Sequence, residues 1–179
     1  MNKKTKKLII FLSVIAVVVT LGACGKKANS ATSNVKVTEE NNNYLVEYEE
    51  RFKLKMYELT DILIAFNDAV DGIYTEKTSK SQFAKILTNL IEKSNGLIKD
   101  IESWDIDPEI FELHQYFIAL ANRSHQLFLD AIEMANDPDY ELDKGKLREE
   151  YLAIKDEQAE LVNQWKILKE QLSTSEQTK

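Results

Sequence analysis

The chain has 179 residues, room for one domain of ordinary size plus short appendages. Five glycines and two prolines, set against abundant Leu, Ile, Glu, Lys and Ala, argue against turn-rich sheets and for long helices. The formal charge of −7 hides an asymmetry. Lys3, Lys4, Lys6 and Lys7 lie ahead of any acidic residue, and without those four of the 23 basic residues 19 face 30 acidic ones, a body near −11 that disfavours nucleic acid.

Behind the basic start, Leu8 to Leu21 form a fourteen-residue apolar run, the pattern of a signal peptide. At 1.5 Å per residue it spans about 21 Å, short of the roughly 30 Å hydrocarbon core that a permanent transmembrane helix must cross. Next comes Leu21-Gly22-Ala23-Cys24, which resembles the lipobox of bacterial lipoproteins. That resemblance implies cleavage between Ala23 and Cys24, a diacylglycerol on the Cys24 sulfur, and residence at the extracellular face of the bacterial cytoplasmic membrane. Two acyl chains give stable anchoring where one gives only marginal binding. Cys24 is the single cysteine of the sequence, so it makes no internal disulfide and leaves the rest of the chain without a thiol. Domain bounds follow: 1–23 signal peptide, 24–42 lipidated cysteine and polar tether, 43–172 helical body, 173–179 polar tail.

The body predicts an all-α fold. From Tyr44 onward apolar residues recur at spacings of three and four. In the first helix Leu45, Tyr48, Phe52, Leu59, Ile62, Phe66, Ala69 and Ile73 follow a heptad, with Met56, Leu63 and Val70 widening the stripe and Lys55 as the one polar seam position, and Asp71-Gly72 reads as the stop. Ser79 and Gln82 form a capping box for the second helix, in which Asn95-Gly96 marks a kink or an early end. Asp107-Pro108 predicts the start of the third helix, apolar over a broad arc to about Ala135. Asp137-Pro138 breaks the pattern, and after Asp143 the fourth helix carries Leu147, Tyr151, Ile154, Leu161, Trp165, Leu168 and Leu172, with Gln158 as the exception. Four helices joined by short connections predict an antiparallel up-down-up-down four-helix bundle, with a three-helix arrangement as the alternative.

The sequence carries no catalytic signature. The Glu-x-x-His pattern of dinuclear metal bundles is absent, and His114 and His125, eleven residues apart, lie about 16 Å apart along a helix, too far to share an ion. The acidic stretch 137–150 lacks the glycine of a calcium loop in either register. No metal, no cofactor beyond the lipid and no enzymatic activity are expected. Lys55, Ser94, Ser124 and Gln158 interrupt the four seams near mid-height, with His125 adjoining, and so predict a central polar layer. Such a layer sets helix register, or else lines a small ligand site. The leading expectation is a protein-interaction or accessory module anchored to the membrane by its lipid, with a small-ligand-binding surface lipoprotein as the alternative.

Overall fold

The computed structural model describes residues 39–174 apart from 138 and 140. The apolar run, Cys24, most of the tether and the end of the tail lie outside the described residues. Four helices account for the fold: α1 (Glu39–Tyr74), α2 (Lys80–Glu102), α3 (Phe111–Asn136) and α4 (Lys144–Thr174). At 36, 23, 26 and 31 residues they are about 54, 35, 39 and 46 Å long. No strand occurs among the described residues, and no helix there is long and apolar enough to cross a membrane.

Contacts between the ends establish the predicted up-down-up-down order. The start of α1 meets the start of α3 and the end of α4, through Tyr48 against His114 and Trp165. Its far end meets the start of α4, where Arg148 bonds Asn67 and Asp71. Each helix packs on its two neighbours around the bundle, α1 and α3 also touch across the middle, and α2 and α4 are diagonal and apart. Phe52, Leu59, Leu63 and Phe66 of α1 are almost wholly buried, as are Phe83 and Leu87 of α2, Phe117 and Phe128 of α3, and Leu147 and Ile154 of α4.

Four local expectations need correction. The heptad residues of α1 from Leu45 to Ala69 are buried together with Met56, Leu63 and Val70, but Lys55 is not a core position: its ammonium lies at the α1–α2 edge with Asp100 and Glu58, while its neighbour Met56 is buried. Helix α1 does not stop at Asp71-Gly72 but runs two residues further. The chain leaves it through Glu76, at φ 57°, with Thr75 N–H bonded to Asp71 O and Lys77 and Thr78 N–H to Gly72 O. Helix α2 passes unbroken through Asn95-Gly96, whose exposed positions leave Ser94, Leu97 and Ile98 on the buried face to hold it. Asp107 does not cap α3 directly: its side chain accepts the Glu109 amide at 3.0 Å and its carbonyl the Ile110 amide, forming a turn that precedes the helix at Phe111. The capping box is as predicted, with Gln82 N–H donating to Ser79 Oγ and Ser79 N–H to Gln82 Oε1. Helix α1 begins at Glu39, four residues inside the predicted tether, and α4 extends two residues past the predicted body.

Two of the three helical glycines, Gly72 and Gly96, differ sharply in what surrounds them. A Cβ at Gly96 meets nothing within 4 Å, whereas one at Gly72 falls 2.3 Å from Thr78 Oγ1. Gly96→Ala is therefore expected to stabilise the fold by about 0.5–1 kcal/mol through helix propensity. Gly72→Ala should gain nothing or lose stability, since the turn that carries Thr78 must give way. Urea unfolding of the two variants checks this, and equal gains in both would contradict it.

Candidate functional site

The mid-height polar residues are brought together only in pairs, each in a different seam. Between α2 and α3, Ser94 Oγ lies 2.7 Å from His125 Nδ1 and also donates to Ile91 O. Between α1 and α4, Gln158 Nε2 donates to Thr60 Oγ1 at 2.7 Å and to Met56 O at 3.3 Å, while Lys155 bonds its Oε1. Ser124, fully buried, returns its hydroxyl to Leu120 O of its own helix. Lys55, half-buried, points to the α1–α2 edge and pairs with Asp100 at 2.5 Å and Glu58 at 2.8 Å. These groups share a height but not a direction, so the layer divides into separate satisfied units instead of converging on a void. Thr60 and Lys155, which complete the Gln158 unit, lie beside the seams and leave no mark in the apolar pattern.

A second cluster fills the end of the bundle where α1 begins. Tyr48 contacts Phe52, Trp104, His114 and Trp165, with ring centroids 5.2–6.0 Å apart, and Phe52 contacts Phe117 at 5.1 Å. The Arg51 guanidinium covers Trp104, 4.3 Å from the ring centroid. Burial pushes the Tyr48 hydroxyl far above its usual range, so it stays neutral, 3.4 Å from His114 Nδ1. Tyr44 closes the same end by donating to Asp105 O and accepting the Asp107 amide. Trp165 Nε1 is buried there, the single such side-chain atom among the described residues that lacks a hydrogen-bond partner. The cluster packs the end of the bundle. Among the described residues no group of three or more His, Cys, Asp or Glu is placed to hold a metal.

An open groove lies between α3 and α4, made by the residues that flank the two seams; a wider, more polar depression of about 680 Å³ lies between α2 and α3, beside Lys80, Lys85, Ile132 and Asp137. The half of the groove nearest the start of α1 is two adjoining depressions of about 370 and 350 Å³, floored by Leu113, Leu120, Leu161 and Leu168 and rimmed by Tyr116, Glu157, Glu160 and Gln164. Tyr116 is 54% and Ile167 48% exposed, so apolar surface reaches solvent on both walls. Arg123 closes this half at mid-length by bridging Glu150 and Glu157. Beyond it a further depression of about 280 Å³ continues past Leu127, Met134 and Ile154. Sequence reasoning assigned the broad arc of α3 to packing and missed that its edge stays uncovered; Tyr116, a seven-residue step before Arg123, was the available signal.

No protein-family model matches the chain, and no curated protein or solved structure is similar to it.

If the polar units are independent, the effects of Ser94→Ala and Gln158→Leu on unfolding free energy should add to within about 0.5 kcal/mol. A coupling above about 1 kcal/mol in the double-mutant cycle would restore a connected layer.

The histidines supply a second test. Burial holds both His114 and His125 below the ordinary imidazole range; for His114 a bond to the Ile101 backbone opposes the shift and the Arg51 charge adds to it. As pH falls through about 6.5 the unfolded chain takes up protons that the folded chain refuses, so stability is full above that pH and declines below it. Glu49 and Asp100, held low by Lys169 and Lys55 respectively, lose their contribution only at more acidic pH. Glu109, raised by burial and by Asp107, acts in the opposite sense near the carboxylate range. Melting temperature should fall from pH 7.5 to 5.5, and His114→Phe should flatten the slope. A wild-type melting point unchanged across that interval would contradict the assignment.

Proposed function

We propose that the protein is an exported lipoprotein, anchored by a diacylglycerol on Cys24 to the outer face of a bacterial cytoplasmic membrane, and that its bundle works by binding another protein. The observation that carries the binding role is the open α3–α4 groove, with an apolar floor and exposed Tyr116 and Ile167 on its walls. Exposed apolar residues gathered along a concave strip are the usual mark of a protein contact. The polar groups that an enclosed ligand or a reaction would need are engaged with one another: Ser94 with His125, Gln158 with Thr60, Lys55 with Asp100. The anchoring role rests on the lipobox-like Leu21-Gly22-Ala23-Cys24 behind its apolar run.

Crosslinking on intact cells, with mass spectrometry of the captured proteins and a Cys24→Ser variant as the unanchored control, tests both parts. One partner should recur with the anchored form and fall at least several-fold with Cys24→Ser. No recurrent partner would remove the binding role; equal membrane association of both forms would remove the anchor.

A further inference from the structure

The proposed binding role leaves the chemistry of the partner open, and the groove itself narrows it. Along the half between Glu109 and Arg123 on α3, and between Glu157 and Gln171 on α4, the floor is leucine and the flanks carry Glu109, Glu112, Glu157 and Glu160. The one cation among these lining residues, Arg123, is already held by Glu150 and Glu157. Burial, with a smaller contribution from the Asp107 charge, raises the Glu109 carboxyl. The uncovered strip from Glu112 to Arg123 is about 16 Å long, three turns of a helix.

From this floor and this rim we infer that the half-groove seats one amphipathic cationic helix of a partner protein. An apolar stripe at i, i+3, i+4 and i+7 would lie on Leu113, Tyr116, Leu120 and Leu161. Lys or Arg residues on both sides of it would face the four glutamates, giving an acidic groove the complementary charge. A second copy of this chain is a poor occupant, because the body is strongly acidic and its own exposed α1 face, with Leu54 and Tyr57, is flanked by Glu50 and Asp61. An acidic peptide would meet repulsion from both walls. The lower half, beyond Arg123, is excluded from the seat because Lys146 joins Asp130 and Glu150 on its rim and the charge there is mixed.

The test uses the full chain purified in a neutral detergent, with a detergent blank, and a labelled fourteen-residue Leu/Lys helix read by fluorescence anisotropy. Its Leu/Glu counterpart serves as the opposite-charge probe. Binding of the Leu/Lys probe should weaken at least tenfold in E112K/E160K and in Y116A/I167A, weaken with added salt, and stay within twofold in L54A/Y57A. The charge-reversed variant should in turn prefer the Leu/Glu probe. All six substituted positions lie at exposed sites, so circular dichroism and melting should match wild type. Binding unaffected by E112K/E160K, binding lost in L54A/Y57A, equal binding of the Leu/Glu probe, or concentration-dependent self-association in place of probe binding would each overturn the inference. Failure here combined with a recurrent partner on cells would leave the binding role standing and move it to another surface; absence of any partner on cells would remove the role itself.

Discussion

Everything in this bundle depends on burying the apolar stripe of α1. Phe52, Leu59, Leu63 and Phe66 are almost inaccessible, yet α1 alone offers them no cover, and they are sheltered only because the other three helices stand against it. Full burial of such side chains contributes about 1.5–3 kcal/mol each, against which any single ion pair on this surface is small. That imbalance explains why Met56 is buried and Lys55 is not. A lysine in that place would need burial of its charge, whereas one step round the helix it reaches Asp100 and Glu58 in partial solvent. The aromatic group around Tyr48 extends the same logic to the end of the bundle, and there the geometry accepts one cost, the unpartnered indole N–H of Trp165, in return for contacts between six rings.

Polar groups in the interior follow a different rule, that of local satisfaction. Each buried or half-buried hydroxyl, amide and imidazole at mid-height finds its partner in the nearest seam or in its own helix: Ser124 on Leu120, Gln158 on Thr60, Ser94 on His125. Helices held by pairs of this sort are fixed in register without a central space being left between them. The flanks of the α3 and α4 seams are left open to solvent beside Tyr116 and Ile167.

The sequence made the fold legible through periodicity, since the residues that define the four stripes, from Tyr48 and Phe52 through Leu87, Phe117 and Leu161, are the ones buried. Boundaries were less legible where two local signals competed. Asn95-Gly96 has the composition of a break, but Leu97 and Ile98 beyond it remain in the core, and tertiary packing outweighs roughly 1 kcal/mol of propensity. Asp107-Pro108 is a genuine capping signal spent on a turn one step ahead of the helix. As for the candidate site, positions along the helices were readable from residue counting, whereas the direction each polar side chain takes was not: Lys55 turns to Asp100 on α2, while Gln158 reaches Thr60 and the Met56 carbonyl on α1. The groove escaped notice because a one-dimensional pattern records which residues are apolar and not which of them a neighbour fails to cover.

The pairing of α1 with α4 has a consequence for how the molecule comes into being. Gln158 reaches back 98 residues to Thr60, Lys169 reaches 120 residues to Glu49, and Tyr48 packs at a tilt against Trp165. A chain emerging from the ribosome can form α1, α2 and α3 early, since those contacts are local, but the stripe of α1 stays partly open until the last helix is synthesised. Completion is therefore a late event in which the two ends of the body meet.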